Sequence, residues 1–211
     1  IGREPIELVA EQRPVIYRNF ISGLSPRAIA IGYPEDVNLA WDAEAMSLSL
    51  VWKGSFIDAS KHWVGRGPGD QSPLGDEIVT LEKSPPLAVL PSLDAAWPSS
   101  SPRELGYRFK GYRLDASGRP AFQYALSGVQ VQDMPVPLTN GSRKVGFTRT
   151  LRCEVPDLAL GIAGSLVFRA AEGKQIEKQP DDWFRVDGVY SIRLPGAEVV
   201  TVGGKQQLRL L

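Results

Sequence analysis

Cysteine and histidine are almost missing from this chain of 211 residues. It contains one cysteine, Cys153, and one histidine, His62. A single cysteine excludes an internal disulfide and any metal site built from several cysteines. The CxxCH sequence that attaches haem covalently needs two cysteines, so it is excluded as well. We therefore expect no cofactor and no metal centre in this chain.

The chain also lacks an excess of charge of one sign and lacks long apolar runs. Twenty-four basic residues balance 24 acidic residues, which removes the uniform basic footprint of a nucleic-acid-binding protein or of a membrane-surface protein. The longest apolar runs, such as residues 158–163, are far shorter than the roughly 20 residues of a membrane-spanning helix. We expect neither nucleic acid nor membrane as a partner.

Turn residues are abundant, and the segments between them alternate in polarity. The chain has 21 glycines and 17 prolines, and no 11-residue window has a convincing helical stripe. Residues 46–52 alternate with period two most cleanly, and residues 106–134 predict a three-stranded meander with a bulge at Gly111. Residues 27–33 and 37–41 predict a hairpin. These patterns predict an all-β fold, a large antiparallel β-sandwich of about a dozen strands.

Two features qualify this prediction. Residues 84–103 are rich in proline and serine and could be a linker between two domains. Their apolar side chains, including Trp97, instead favour an ordered crossing within a single domain spanning residues 1–211. On a later predicted strand, Arg149 lies on the same face as Leu151 and Cys153, so it needs a polar partner or a place beyond the edge of the core.

The stretch from Val51 to Gly69 carries the candidate ligand-binding residues. A strand predicted to end near Trp52 leads here into a glycine-rich loop, and functional residues are frequent on such loops. Tryptophan rings can stack on sugars, and neighbouring charged side chains can hydrogen-bond to hydroxyl groups. The predicted ligand-binding residues are Trp52, Asp58, Lys61, His62, Trp63 and Arg66.

Alternative interpretations of these residues stay open. Trp41 and Trp52 both end alternating runs and could fill the core, with Trp63 facing outward. His62 could be a structural histidine, could hydrogen-bond to a ligand, or could act as an acid or base. The glycine-rich run at 65–69 is not followed by a helix, so it does not predict a phosphate-binding loop. Adjacent carboxylates occur in hydrophilic turns and do not by themselves predict glycoside hydrolysis.

A series of motifs along most of the chain resembles an uncharacterised domain of large exported proteins of planctomycetes and related bacteria. The motifs are RPVIYRNFISG (13–23), RAIAIGYPEDVNLAWDA (27–43), LSLVWKGSFIDASKHWVGRG (48–67), SPLGDE (72–77) and GYRFKGYRLDASGRPAFQY (106–124). In those proteins the domain accompanies c-type cytochrome segments and sugar or alcohol dehydrogenase modules. The resemblance therefore implies an extracytoplasmic location, periplasmic or secreted. The strand pattern is also similar, more weakly, to the sugar-binding sandwiches of the galactose-mutarotase kind.

Two functional hypotheses follow. The first is a non-catalytic module of an exported multidomain protein, which binds carbohydrate or a neighbouring cytochrome c or dehydrogenase domain through the surface from Trp52 to Arg66. The second is a sugar-active enzyme, either an isomerase or epimerase or part of a redox assembly, with His62 as its acid or base. The first hypothesis assigns no catalytic residue.

Overall fold

The structure, a computed structural model, describes residues 4, 6–60, 69–138, 146–155 and 164–211. The elements with described bounds are eighteen β-strands and one 3-10 turn at Pro180–Asp182. The strands of the first half are β1 Glu7–Leu8, β2 Val15–Arg18, β3 Ala28–Gly32, β4 Val37–Asp42, β5 Ser47–Lys53, β6 Ile57–Asp58, β7 Asp76–Thr80 and β8 Leu87–Leu90. Those of the second half are β9 Arg108–Leu114, β10 Pro120–Leu126, β11 Val129–Pro137, β12 Phe147–Glu154, β13 Ser165–Gly173, β14 Ile176–Lys178, β15 Trp183–Val186, β16 Tyr190–Arg193, β17 Glu198–Val202 and β18 Lys205–Leu210.

The all-β prediction is confirmed, and the finer architecture differs from the single sandwich of about a dozen strands. The strands form four main sheets in a propeller-like arrangement, with the orders β2-β3-β4-β5-β7, β12-β11-β10-β9, β17-β18-β13-β8 and β14-β15-β16. A two-stranded ribbon joins β1 to β6. Period-two alternation identifies a strand but not its partner. Because tight turns join most consecutive strands, the chain closes small local meanders instead of two large sheets.

The first sheet follows the predicted pattern closely. β3 and β4 form the predicted antiparallel hairpin, and Asp36 takes a left-handed φ of 55° in the turn between them. β5 covers the segment with the cleanest alternation. All five residues of β3 and all six of β4 are buried, so both faces of these strands are covered.

The second sheet confirms the predicted meander and adds a fourth strand. β9, β10 and β11 pair in sequence, and β12 pairs with β11. The register shifts where Gln123 lies opposite Gly111, and Gly111 has a φ of 114°. A side chain there would be strained, so the glycine permits the predicted bulge.

The main core lies where these two sheets meet. Trp41 is fully buried and stacks on Phe122, with 4.6 Å between ring centroids and 7° between ring planes. Its indole N–H donates to Asp133 Oδ2 at 3.2 Å. Arg149 donates to both oxygens of the same carboxylate, at 2.9 and 2.6 Å. Of the two alternatives that the sequence left for Arg149, the structure therefore shows the polar partner, which is Asp133.

The proline-rich crossing contains a strand of its own. Within it, β8 pairs antiparallel with β13 in the third sheet. Leu87 on β8 joins the main core, while Ala88 and Leu90 form a small cluster with Val167, against which Trp97 packs. The crossing therefore runs against the third sheet and brings Trp97 beside β13 and β18.

Candidate functional site

The predicted ligand-binding stretch begins with a tryptophan that lies in the core. Trp52 on β5 is 2% exposed, and its ring stacks on Phe56 with 2° between ring planes. Its indole N–H donates to the carbonyl oxygens of Ser55 and Phe56, at 3.1 and 3.0 Å. The interpretation of Trp52 as a core residue is thus confirmed, because other protein atoms cover its ring.

The Asp58 carboxylate on β6 accepts hydrogen bonds from backbone groups. Its Oδ1 atom accepts hydrogen bonds from the N–H groups of Ile6 and Ser60, at 3.0 and 2.8 Å, which ties the N-terminal arm to β6. The other predicted ligand-binding residues, Lys61, His62, Trp63 and Arg66, lie outside the described residues. Their role in ligand binding stays a prediction.

An open cleft lies elsewhere, beside the proline-rich crossing. It is a cleft of about 660 Å³ between the crossing, the turn after β4, and strands β13 and β18. We call it the Trp97 cleft. Its polar and charged lining includes Asp42, Glu44, Ser84, Arg169, Glu172 and Gln207, together with the three serines at 99–101. Its apolar lining includes the Trp97 ring and three prolines, Pro85, Pro98 and Pro102.

A bulge in β13 assembles the charged wall of this cleft. Residues three apart on a regular strand face opposite sides of the sheet. The register of β13 against β18 shifts between Arg169 and Ala171, and this shift brings Arg169 and Glu172 to the same side. Arg169 Nη1 then donates to Glu172 Oε2 at 3.0 Å. Arg169 lies opposite Arg209 on β18, and Glu172 lies opposite Gln207.

Glu172 is the centre of the network. Its Oε2 atom also accepts from Gln207 Nε2 at 2.7 Å, and its Oε1 atom accepts from Lys205 Nζ at 2.5 Å. Burial alone would raise the pKa of Glu172, but the Lys205 hydrogen bond and the positive charges of Arg169 and Lys205 outweigh burial and lower the pKa. The carboxylate therefore stays ionised at neutral pH and balances the guanidinium beside it.

Two arginines hold the crossing and its tryptophan in place. The guanidinium carbons of Arg169 and Arg209 lie 4.3 and 5.2 Å from the centroid of the Trp97 ring, within cation–π range. Arg209, which is fully buried, donates from Nη1 to the carbonyl oxygens of Leu93 and Ala95 at 2.6 and 2.7 Å. The opposed arginines would repel each other across the strands, and the aromatic ring, Glu172 and these carbonyls offset that repulsion.

The Asp42 carboxylate of the cleft is engaged in holding local structure. The Asp42 carboxylate accepts four hydrogen bonds, from the backbone N–H and hydroxyl of Ser25 and the N–H groups of Glu44 and Ala45. Within the described residues, no three His, Cys, Asp or Glu side chains come close enough to hold a metal ion. The cleft thus has a rigid wall of donors and acceptors and one aromatic ring, which suits a ligand with many hydroxyl groups.

Sequence reasoning did not identify this network. It predicted only that Trp97 packs in an ordered crossing. The only sequence signal was the charge itself, since Arg209 interrupts the apolar pair Leu208 and Leu210. Nothing in the spacing of Arg169 and Glu172 predicts a contact on a strand, because the bulge that creates it depends on the pairing with β18.

The chain was compared with known proteins, and no protein-family model, curated protein or solved structure matches it. Over the part of the chain that the structure describes, no helix is long and apolar enough to span a membrane.

Proposed function

We propose that the chain is a non-catalytic binding module of an exported multidomain protein and that it binds carbohydrate in the Trp97 cleft. The observation that carries this proposal is the wall of the cleft, where Arg169, Glu172 and Gln207 are fixed in one network beside an indole ring. Fixed polar groups lose little conformational freedom when a ligand binds, and so they favour affinity.

The dimensions and chemistry of the cleft support a saccharide. Its volume of about 660 Å³ lies within the roughly 300–1,000 Å³ typical of small-ligand sites. Ser99 and Ser100 offer hydroxyl groups that donate and accept, and Glu44 offers an exposed carboxylate. Sugar hydroxyls need both kinds of partner. The proline side chains and the tryptophan supply apolar surface for the carbon-bound faces of the sugar ring.

Binding fits these residues better than acid or base chemistry. A general acid in a neutral-pH site needs a carboxyl group whose pKa is raised, whereas the pKa of Glu172 is lowered by its cationic neighbours. Asp42 is occupied by four hydrogen bonds. The enzyme hypothesis rests on His62, which lies outside the described residues.

The wider setting belongs to the same proposal. The motif series that resembles exported planctomycete proteins supports a periplasmic or secreted location, with a c-type cytochrome or dehydrogenase segment as the neighbour. In that setting a saccharide-binding module would hold the redox segment near its sugar substrate. A sandwich of the mutarotase kind is not needed for this role, because the cleft lies between a sheet and a crossing segment.

A substitution that fills the cleft without removing a contact tests the proposal. Ala96 is exposed and lines the cleft, so Ala96→Trp would block it. Ala116, which is exposed in the turn between β9 and β10, provides the matched control, Ala116→Trp. We expect the intact chain and the control to be retained on at least one member of a panel of neutral polysaccharides, and Ala96→Trp to lose retention.

Two outcomes would overturn the proposal. In one, the panel retains none of the three proteins, which would favour a partner domain as the ligand. In the other, the panel retains Ala96→Trp as strongly as the intact chain, which would place binding outside the cleft. Circular dichroism of each variant checks that the fold is intact.

A further inference from the structure

The outer face of the second sheet is largely polar, and it lies away from the main core. On its inner side Phe122, Tyr124 and Val131 are buried in that core. On its outer side Gln123 lies opposite Gln132, which lies opposite Arg152, and Ala125 lies opposite Gln130. The middle strands thus present small and amide side chains here, and the half-buried Met134 and Val136 follow on the same face of β11. We call this surface the outer face of the β9–β12 sheet.

Basic residues border this face. Arg108, Lys110 and Arg113 are exposed on the edge strand β9, and the Arg152 side chain on β12 is 74% exposed. The Glu154 carboxylate lies 4.0 Å from the Arg152 guanidinium and offsets part of its charge. The side chains of Lys110 and Arg113 form no hydrogen bond or ion pair with another described residue. A chain with balanced charges therefore carries a local excess of positive charge here.

Backbone carbonyl groups hold the Arg108 side chain. Its Nη1 atom donates to the backbone carbonyl oxygens of Arg103 and Tyr107, at 3.0 and 2.7 Å. Across the sheet, neighbouring strands lie about 4.8 Å apart, so β9 and β12 are about 14 Å apart. Cations therefore lie on both borders of a strip whose floor can donate and accept hydrogen bonds through its glutamine amides.

Among its described residues this strip has no aromatic side chains, and this favours an acidic polysaccharide over a single-stranded nucleic acid as its ligand. Single-stranded nucleic acids bind largely by stacking their bases on aromatic rings. The aromatic residues of β9, Phe109 and Tyr112, pack instead against the main core, as Phe122 and Tyr124 do. The glutamine amides of this strip can hydrogen-bond to sugar hydroxyl groups. Its cations can bind carboxylates or sulfates spaced along a chain.

We propose that the outer face of the β9–β12 sheet binds a linear anionic polysaccharide. The cations of β9 and Arg152 contact its acidic groups, and Gln123, Gln130 and Gln132 hydrogen-bond to its hydroxyl groups. This site is separate from the Trp97 cleft. Charges on an edge strand also deter association between sheets, and the experiment below separates that role from ligand binding.

The test measures binding to polygalacturonate and to dextran sulfate, with neutral dextran as the uncharged probe. The triple variant Lys110→Gln, Arg113→Gln, Arg152→Gln removes three charges from the face. The triple variant Arg18→Gln, Lys174→Gln, Lys178→Gln removes three exposed charges elsewhere. We expect the face variant to weaken binding about tenfold or more and the control to change it less than about twofold, with binding weakening as salt rises.

The results of this test can be told apart from those of the test on the Trp97 cleft. Ala96→Trp should keep full binding to polygalacturonate, because the cleft takes no part. The proposal is overturned if the intact chain does not bind either anionic probe at low salt, if both triple variants weaken equally, or if single-stranded DNA binds as tightly as polygalacturonate. If size-exclusion chromatography shows that the face variant associates, the three single substitutions are measured instead. Each should weaken binding by about twofold or more, and unchanged binding in all three would leave only the edge-protecting role.

Discussion

This molecule contains two largely buried ion pairs, one in the main core and one in the wall of the Trp97 cleft. In the first, the Asp133 carboxylate is fully buried, and its oxygens accept from Arg149 and from the Trp41 indole. In the second, the Arg169 and Glu172 side chains are 5% and 11% exposed, and both line the Trp97 cleft. Burial of a charged pair therefore does not by itself identify a ligand-binding site. The first pair links two neighbouring strands of the second sheet, and its carboxylate also accepts the Trp41 N–H from the first sheet. The second pair instead lines the Trp97 cleft.

The largest effect should come from breaking the first pair. Asp133→Ala leaves the Arg149 guanidinium and the Trp41 N–H without their acceptor between the two sheets. We expect the free energy of unfolding to fall by about 3–5 kcal/mol, measured by urea denaturation. A double variant, Asp133→Leu with Arg149→Met, should be far less destabilised, because it removes both charges together. A loss below about 1 kcal/mol in Asp133→Ala would show that this buried pair contributes little to the stability of the core.

A smaller effect should follow from removing the arginine that holds the crossing. Arg209→Ala loses hydrogen bonds to the carbonyl oxygens of Leu93 and Ala95 and to Gln207. We expect a loss of about 2–3 kcal/mol, faster amide hydrogen exchange in residues 91–97, and weaker ligand retention. Arg209→Lys should recover only part of this, since an ammonium group cannot reproduce the planar donor set. Unchanged exchange in 91–97 would contradict the anchoring role.

The smallest effect concerns pH. The pKa of Glu172 is lowered in the folded state, so this group contributes stability above its unfolded value and loses it as the pH falls through the folded value. Stability should therefore decrease below about pH 4.5, and Glu172→Gln should reduce that decrease. The comparison is made by urea denaturation at several pH values. An identical pH profile for the two proteins would mean that Glu172 is not held as an ion by its neighbours.

The sequence predicted local structure better than it predicted assembly. Alternation and turn residues identified the β3–β4 hairpin, β5 and the meander from β9 to β11, because these features depend on neighbouring residues. The polar partner of Arg149 was also required by its apolar surroundings, although Asp133 could not be named before the pairing of β11 with β12 was known. The third sheet, β17-β18-β13-β8, depends on pairing between strands that are distant in sequence, for which alternation carries no signal.

The candidate site was the harder problem for the same reason. The sequence favoured the stretch from Val51 to Gly69 because aromatic and charged residues are concentrated there. The structure places Trp52 in the core, and it shows a cleft built from three distant parts of the chain. Arg169 and Glu172 meet only through a bulge, and Arg209 reaches the crossing only because β8 pairs with β13.

The indole N–H resonances of the five tryptophans provide the most direct test of the Trp97 cleft. The chain labelled with ¹⁵N would be titrated with an oligosaccharide of the best-retained polysaccharide, and the resonances assigned with single Trp→Phe variants. We predict that the Trp97 resonance moves with saturation, while the resonance of Trp52, whose N–H is bound to two carbonyl oxygens, stays in place. Movement of the Trp63 resonance with Trp97 unchanged would contradict the account and locate binding in the stretch that the sequence first favoured.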